Sequence, residues 1–364
     1  MKRIRVLVVD DSVVIRKLIS DGLAKDPAIE ICGAAANGRI ALQKIPQCNP
    51  DLLTMDIEMP DLDGIETVRE LRKTYPRLPV IMVSTLTERG ASATLAALSA
   101  GASDYVTKPA NVGALTEGAK RIQEELIPKI KSLCRYSDGA PPASTPLMLP
   151  RPAAAHDPPA VLAIGCSTGG PNALAELIPQ LPGNLPVPVV IVQHMPPLFT
   201  RMLAERLNTN SKLNVVEAAE GMRVEPGMVL IAPGNYHMIL TRKGAAVVVA
   251  LNQDPQENSC RPAVDVLFRS VACVYGGASL GIILTGMGQD GLRGCEWIRE
   301  AGGQVLVQDE ASSVVWGMPG FVAKAGLADQ VLPLDSIAPE ALRRITLDAA
   351  WAKTALAQVL AGGR

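Results

Sequence analysis

The sequence lacks an excess of charge of either sign, and it lacks long hydrophobic runs. Its 35 Lys and Arg residues balance 36 Asp and Glu residues, which leaves a net charge of −1. Proteins that bind nucleic acid or anionic membranes electrostatically carry basic patches, so this balance indicates neither partner. The longest apolar runs, such as VLVV and VPVVIV, are only as long as strands, and no signal peptide is recognisable. We therefore expect a cytoplasmic protein that binds no nucleic acid and is not inserted in a membrane.

Cysteine pairs and histidines are also scarce. The seven cysteines include no C-x-x-C pair, and their number is odd. This pattern indicates neither a disulfide framework nor a zinc site. Only three histidines occur, His156, His194 and His237. A catalytic site that depends on histidine therefore has few candidates for its base.

Strand-length apolar runs alternate with helix-length segments through residues 1–132. Five strand–helix units in a row predict a doubly wound parallel sheet, in which functional groups gather beyond the carboxyl ends of the strands. The polar residues expected at those ends are Asp10, Asp11, Asp56, Ser84 and Lys108. Carboxylate oxygens are ligands that Mg²⁺ prefers, and a carboxylate can accept a phosphoryl group. Asp56 is the central candidate for an aspartyl phosphate.

A connector follows this first domain. From Leu133 to Pro159 the periodicity stops and prolines are frequent, which predicts a linker with His156 solvated inside it. Strand–helix alternation then returns, and a hairpin is predicted with its turn at Lys243–Gly244. We expect a doubly wound (βα)5 domain over residues 1–125, a helix end and Pro-rich linker over 126–159, and an α/β domain with a Rossmann-like parallel sheet over 160–350.

The stretch AVLAIGCSTGG, residues 160–170, opens the second domain. Its apolar half predicts a buried strand, and its glycines followed by Pro171 predict a sharp turn into a helix. Ser167 stands on that turn in a G-x-S-x-G spacing, which is typical of a nucleophile elbow. The pattern is weak by itself, and a glycine-rich turn with a solvated serine is the alternative interpretation.

A serine nucleophile needs a base and a group that orients the base. His194 directly follows a buried strand, so we favour it as the base, and we expect His237 to line the pocket or cap a strand. Asp290 follows another buried strand within a glycine-rich segment, and it is the favoured acid. The competing aspartates are Asp254 in a polar loop, Asp265 at the start of a helix and Asp309 at a strand end. Together these choices predict a Ser167–His194–Asp290 triad.

The first domain resembles the receiver domain of bacterial two-component response regulators. The matching motifs are VVDDS, DIEMPDLDG around Asp56, and DYVTKP. The resemblance implies phosphorylation of Asp56 by a sensor histidine kinase, and it implies Mg²⁺ as the cofactor of that reaction. The residues implied to bind Mg²⁺ are Asp10, Asp11, Asp56 and the carbonyl of Glu58. Those implied to contact the phosphoryl group or to switch with it are Lys108, Ser84 and Tyr105.

The second domain resembles the catalytic domain of the chemotaxis protein-glutamate methylesterase family. The matching motifs are GCSTGGP, VQHMP, LIAPGNYHM, RPAVDVLF, LTGMGQDG and SSVVWGMPG. The resemblance implies hydrolysis of glutamate methyl esters, and deamidation of glutamines, on methyl-accepting chemoreceptors without a cofactor. It assigns nucleophile, base and acid to Ser167, His194 and Asp290. It also places Thr168, Met287 and His237 around the oxyanion or the pocket.

Three residues depart from the family pattern. Cys166 stands where alanine is expected, Asn235 where glycine is usual, and Cys260 where histidine is common. The bulk of Cys166 beside the nucleophile is expected to alter turnover. The other two departures bear on substrate preference.

The order of the parts predicts regulation by phosphorylation, with the unphosphorylated receiver covering the Ser167 crevice. Two other classes of function stay open from the sequence. One is an adaptor whose second domain has lost catalysis. The other is a nucleotide-binding output domain, although residues 165–170 lack both the G-x-G-x-x-G spacing and a P-loop lysine. A DNA-binding output is disfavoured because there is no basic helix-turn-helix region.

Overall fold

The structure, a computed structural model, describes residues 3–108, 120–134 and 158–345. The chain divides into two compact units, Met1–Pro142 and Ala143–Arg364. Most of the predicted linker, including His156, lies outside the described residues, and so does the chain after position 345. No helix within the described ranges is long and apolar enough to cross a membrane.

The N-terminal unit contains a five-stranded parallel sheet with the order β2-β1-β3-β4-β5. Its strands are β1 (Ile4–Val9), β2 (Ile29–Ala35), β3 (Leu52–Asp56), β4 (Val80–Ser84) and β5 (Asp104–Thr107). Its helices are Val13–Leu23, Gly38–Cys48, Gly64–Thr74, Glu88–Ser99 and Ile127–Leu133, the last preceded by a π-helical turn at Ile122–Leu126. This arrangement confirms the doubly wound sheet that the alternation predicted.

Local signals in the sequence define where the first four helices begin. Ser12, Asn37, Asp63 and Thr87 each precede a helix, and the side chain of each accepts a hydrogen bond from the amide three residues later. Such N-caps satisfy amides that have no partner inside the helix. Every residue of β3, β4 and β5 is buried, as expected for strands covered by helices on both faces.

The C-terminal unit contains a seven-stranded parallel sheet with the order β14-β13-β12-β6-β7-β9-β8. Its strands are β6 (Val161–Cys166), β7 (Val189–Gln193), β8 (Asn214–Glu217), β9 (Met228–Ile231), β12 (Ser279–Ile283), β13 (Gln304–Gln308) and β14 (Gln330–Leu332). Its helices are Gly170–Leu177, Phe199–Asn210, Val264–Tyr275, Leu292–Glu300, Met318–Lys324 and Leu334–Ile345. The predicted parallel α/β domain is therefore confirmed.

Two strands of this unit stand apart from the main sheet. β10 (His237–Lys243) and β11 (Ala246–Asn252) form an antiparallel hairpin whose last pair joins Lys243 to Ala246. Gly244, in the hairpin turn, has φ +62°, a conformation that glycine adopts readily. The predicted hairpin is present, and it leaves the main sheet purely parallel.

The centre of the main sheet positions the site. β6 lies between β12 and β7, so the chain leaves three adjacent parallel strands at one edge. The helix Val264–Tyr275 packs closely on β6, because a Cβ at Gly165 would stand 2.4 Å from Val264 Cγ1. Residues after these strands therefore converge, although they are distant in the sequence.

Candidate active site

Ser167 occupies the turn between β6 and the helix Gly170–Leu177. Its amide donates to the Thr285 carbonyl at 3.0 Å, and its carbonyl accepts from the Gly170 amide at 2.8 Å. Gly169 precedes the helix with φ +78°, a left-handed conformation that a residue with a Cβ rarely adopts. These constraints hold Ser167, which is only partly buried, at the edge of the sheet.

Gln193, the last residue of β7, ties the serine turn to the following histidine. Its Nε2 donates to the carbonyls of Ser167 at 3.0 Å and of His194 at 3.2 Å. Cys166 Sγ lies 3.1 Å from Gln193 Oε1, and burial raises the pKa of Cys166 far above its usual value, so the thiol stays protonated and can donate. Gly170 leaves room for this amide, since a Cβ there would stand 1.9 Å from Oε1. The departure at Cys166 thus contributes to the support of Ser167.

His194 and Asp290 form a hydrogen-bonded pair across the sheet edge. His194 Nε2 lies 2.8 Å from Asp290 Oδ2, and the His194 amide donates to the Cys166 carbonyl at 3.2 Å. Burial by itself raises the pKa of Asp290, but the hydrogen bonds it accepts, led by that from His194, hold the pKa below its usual value. An ionised carboxylate is an acceptor only, so Nε2 carries the proton and Nδ1 of the neutral ring carries the lone pair.

The Asp290 carboxylate is fixed by a set of donors. The backbone amides of Val264, Asp265 and Gly291 donate to it at 2.7, 3.0 and 3.0 Å, and Asn258 Nδ2 donates at 3.0 Å. The first two amides belong to the start of the helix Val264–Tyr275, where the helix dipole favours negative charge. Asp290 therefore presents one defined oxygen to the imidazole.

A tight turn at Glu257–Cys260 completes the surroundings of this pair. Glu257 and Cys260 exchange two backbone hydrogen bonds, and Asn258 and Ser259 have φ of 51° and 61°. Asn258 Nδ2 also donates to Asp265 Oδ2 at 2.8 Å, and Cys260 Sγ lies 3.5 Å from His194 Nδ1. Asn258 was not among the predicted site residues; its only local signal was an asparagine, a residue type that tolerates positive φ.

The other predicted site residues have different surroundings. No hydrogen bond within the described ranges joins Ser167 Oγ to His194. His237 is buried at the start of β10, and its Nε2 donates to the Pro255 carbonyl at 3.1 Å. Thr168 is buried, and its carbonyl accepts from Thr285 Oγ1 at 2.9 Å. Met287 is partly buried and follows Gly286, where a Cβ would stand 3.0 Å from Ser167 Cβ.

Two of the aspartates that competed with Asp290, Asp265 and Asp309, have structural partners. Asp265 lies in the first turn of the helix Val264–Tyr275, whose N-cap is Ala263. Its Oδ1 accepts from the Gly291 and Gly294 amides at 2.9 and 2.6 Å, which anchors the start of the next helix. Asp309 accepts from the amide and the hydroxyl of Ser312, which follows in an exposed turn.

Asn235 stands where the resemblance led us to expect glycine, and its backbone conformation is one that glycine adopts readily. Its φ is 65°, a conformation that asparagine tolerates better than other residues with a side chain. Arg261 Nη2 donates to Asn235 Oδ1 at 2.8 Å, and the Asn235 amide donates to the Arg261 carbonyl at 3.1 Å. Asn235 therefore connects two loops.

The N-terminal unit holds a second polar cluster at the carboxyl ends of β1, β3 and β5. Lys108 Nζ lies 2.7 Å from Asp56 Oδ2 and 3.1 Å from Asp10 Oδ2. Carboxylate oxygens of Asp10, Asp11 and Asp56 all lie within 4.8 Å of one another. Burial, with a smaller contribution from Asp10, raises the pKa of Asp56 to about 6 against the lowering effect of Lys108. Asp10 Oδ2 is buried, and it is paired with the Lys108 ammonium.

This donor set fits a hard divalent cation, because a cation would relieve the repulsion among carboxylate oxygens that lie within 4.8 Å of one another. Glu58 lies two residues after Asp56, and its exposed side chain pairs with Arg89 at 3.2 Å. The Glu58 side chain is thus engaged in an ion pair with Arg89 at the surface.

The residues expected to switch, Ser84 and Tyr105, contact other groups. Ser84 ends β4, and its hydroxyl donates to the Gly90 carbonyl at 3.1 Å. Tyr105 is buried, with Lys129 Nζ 5.3 Å from its ring centroid. Within the described residues, no hydrogen bond joins Ser84 or Tyr105 to Asp56.

Comparison with known proteins matches both units to families. The model of the CheB methylesterase family matches residues 162–341, and that of the response regulator receiver domain matches residues 6–120. A protein-glutamate methylesterase/protein-glutamine glutaminase of Trichodesmium erythraeum is 54% identical over 358 residues, which cover 95% of this chain and 100% of that protein. The chain belongs to this methylesterase family.

Further relatives agree with this assignment. The Nocardioides sp. methylesterase/glutaminase is 56% identical over 356 residues, which cover 95% of this chain and 96% of that protein. The crystal structure of the Thermotoga maritima CheB methylesterase catalytic domain is 44% identical, with a TM-score of 0.50 over 50% of this chain and 97% of that one. The chain is accordingly an ester hydrolase of the methylesterase family with an N-terminal response regulator receiver domain.

Proposed function

We propose that this chain hydrolyses the methyl esters of glutamate side chains on methyl-accepting chemoreceptors, releases methanol, and deamidates glutamine side chains of the same proteins. The printed names of its relatives support the reaction class. The single observation that carries the proposal is the His194–Asp290 pair, 2.8 Å apart, beside a serine on a strand-to-helix turn. This arrangement supports the roles of base, orienting acid and nucleophile that we propose for His194, Asp290 and Ser167.

In the proposed mechanism Ser167 Oγ attacks the ester carbonyl and passes its proton to His194 Nδ1. Nδ1 is the accepting atom because Nε2 is engaged by Asp290. Asp290 keeps the ring in this tautomer and stabilises the imidazolium, which then protonates the leaving methoxide. Water hydrolyses the acyl-enzyme by the same route in reverse. The Met287 amide, with Thr168 beside the nucleophile, would stabilise the oxyanion.

The direct test uses receptor membranes that carry labelled methyl esters. Released methanol is measured with the unmodified chain and with no enzyme. Released ammonia is measured in the same way with membranes whose receptors carry glutamine at the methylation positions. We expect methanol from the methylated membranes, and ammonia from the glutamine-bearing ones. Absence of both products, from a folded chain supplied with a phosphodonor, would reject the proposal.

We also propose that a sensor histidine kinase phosphorylates Asp56 and that this raises the rate of ester hydrolysis. Asp10, Asp11, Asp56 and the Glu58 carbonyl would hold Mg²⁺, which neutralises charge on the phosphate when it is bound. Lys108 is positioned to pair with the phosphoryl oxygens in place of the carboxylate it now contacts. Ser84 would exchange its bond to Gly90 for one to the phosphoryl group, and Tyr105 would move with it.

The Asp56→Asn variant tests this regulation. We expect it to take up no label from a small phosphodonor such as acetyl phosphate, and to show no increase in methanol release when the donor is added. Asp21→Asn, which changes an exposed carboxylate on the helix Val13–Leu23, is the matched control and should respond like the unmodified chain. Equal stimulation of Asp56→Asn and the unmodified chain would contradict phosphorylation at this residue.

Replacing Asn258 by glycine tests the support of Asp290. Glycine adopts the positive φ of this position without strain, so the variant removes only the two hydrogen bonds of the amide. We expect the free energy of unfolding in urea to fall by about 1 kcal/mol. The free energy of unfolding of Asn258→Ala should be lower by about 1 kcal/mol more, because alanine is strained at this φ.

Ser259→Gly is the control for Asn258→Gly, because Ser259 shares the left-handed conformation and is exposed. It should be at least as stable as the unmodified chain. An Asn258→Gly variant that unfolds at the same urea concentration as Ser259→Gly would show that the amide contributes nothing.

A further inference from the structure

The imidazole of His194 contacts a thiol on the side opposite Asp290. Cys260 Sγ lies 3.5 Å from Nδ1, and Asp290 Oδ2 lies 2.8 Å from Nε2. The three side chains are therefore in the order thiol, imidazole, carboxylate. This is the arrangement that activates a cysteine nucleophile, since the ring can take the thiol proton and the carboxylate stabilises the resulting imidazolium.

The backbone holds the thiol in this position. The Cys260 amide donates to the Glu257 carbonyl at 2.9 Å, and the Glu257 amide donates to the Cys260 carbonyl at 3.2 Å. Asn258, in the same turn, is bonded to Asp290. The Asn258 side chain thus links the turn that carries Cys260 to the Asp290 carboxylate, and both contact the imidazole of His194. Cys260 is only partly buried, so small reagents can reach it.

Several other thiols of the chain lie in surroundings that oppose ionisation. Burial raises the pKa of Cys32 to about 11 and of Cys134 to about 12. It also raises the pKa of Cys166 and Cys295 well above the usual value. Because the thiolate is the reactive form of cysteine, these four thiols should react slowly.

We propose that Cys260 is a reactive thiol that electrophiles modify covalently, and that hydrogen peroxide oxidises it. The site is separate from the proposed nucleophile Ser167, although both depend on His194 Nδ1. The consequence for ester hydrolysis rests on the proposed function, whereas the reactivity of the thiol does not.

The chemistry balances without a further reactant. His194 takes the thiol proton, and the Cys260 sulfur attacks one peroxide oxygen. A sulfur–oxygen bond forms as the oxygen–oxygen bond breaks, and the leaving hydroxide takes the proton from His194 to become water. The sulfur is oxidised to sulfenic acid and the peroxide is reduced. A thiol reductant restores Cys260.

Modification should stop ester hydrolysis because it changes the group that faces Nδ1. An added oxygen or alkyl group on Sγ occupies space beside that nitrogen. Ser167 has to transfer its proton to the same nitrogen, so the added group would obstruct the transfer. Cys260 therefore gives this chain an oxidisable residue at the proposed base.

Alkylation kinetics test the reactivity of the thiol. The full chain is treated with iodoacetamide in the presence of a chelator at neutral pH, and each cysteine peptide is quantified over time by mass spectrometry. Cys273 is the internal control because it is exposed. We expect Cys260 to react about tenfold faster than Cys273. His194→Gln should remove this excess and leave the rate of Cys273 unchanged. Reaction of Cys260 no faster than Cys273 in the unmodified chain overturns the proposal, whether or not His194→Gln folds.

Peroxide treatment tests the consequence. Methanol release is measured before and after hydrogen peroxide, and again after a thiol reductant, with each variant compared to its own untreated sample. The unmodified chain and Cys273→Ser should lose activity and recover it, and Cys260→Ala should keep its own initial rate. Equal fractional losses in Cys260→Ala and the unmodified chain would overturn the proposed consequence. Iodoacetamide labelling needs no ester hydrolysis, so a failure of the proposed esterase leaves the result for Cys260 readable.

Discussion

Replacement of Ser167 by alanine is expected to lower kcat for methanol release roughly 10⁴-fold or more. The reason is that the attacking oxygen is removed, while the turn that holds it is fixed by backbone hydrogen bonds and should keep its conformation. The measurement is methanol released from methyl-labelled receptor membranes with a phosphodonor present. Circular dichroism and thermal unfolding establish that the variant is folded.

The control for this variant is Ser336→Ala, which removes a hydroxyl from the helix Leu334–Ile345 in the same unit. It should retain the full rate. An adaptor that has lost catalysis would behave the same with and without the Ser167 hydroxyl. A Ser167→Ala variant that hydrolyses the ester within a factor of about ten of the unmodified chain would therefore rule out Ser167 as the nucleophile.

Replacement of Asp290 by asparagine is expected to lower the rate about 10³- to 10⁴-fold and to change its pH dependence. Burial lowers the pKa of His194, but the hydrogen bond to Asp290, with the contact to Cys260, raises it above the usual value. Because the base must be unprotonated, kcat/KM of the unmodified chain should rise with pH through this raised pKa. In Asp290→Asn, burial opposes protonation without the neighbouring charge, so the rise should move to lower pH while the plateau falls.

The matched control is Asp254→Asn, which neutralises an exposed loop aspartate. It should keep both the rate and the pH profile. Asp290→Asn also places an amide beside three backbone N–H donors, so its free energy of unfolding has to be measured in parallel. A profile whose rise stays at the same pH in Asp290→Asn would show that Asp290 does not raise the pKa of His194.

The sheet topology could be predicted because its signals are local. The receiver strands β1, β3 and β4 are short, largely buried apolar runs, and four of the receiver helices begin at a side-chain cap that the sequence itself displays. In contrast, neither β14 nor the helix Leu334–Ile345 was predicted from the sequence. β14 has three residues and only partial burial, so its apolar pattern is weak. It forms a strand because β13 is beside it.

The residues that hold the candidate site in place were harder to predict from the sequence. Gln193 was not among the predicted site residues, yet its amide donates to the backbone carbonyls of both Ser167 and His194. Asn258 was not recognised, because it contacts Asp290, which is 32 positions away, through a turn with no apolar periodicity. Such contacts depend on where a loop is placed by the elements at its ends, and short-range patterns do not contain that information.

The sequence by itself determined the two parallel sheets, because their strands are short apolar runs. It also determined the turn at Ser167 and the selection of His194 and Asp290 as candidates, because each of these residues follows such a run. Only the tertiary structure decided which groups face the two nitrogens of His194. Asp290 is on one side at 2.8 Å and the Cys260 thiol on the other at 3.5 Å. The physical reason is that the orientation of an imidazole is set by hydrogen bonds from segments 66 and 96 positions away along the chain, and these meet only when the sheet has formed.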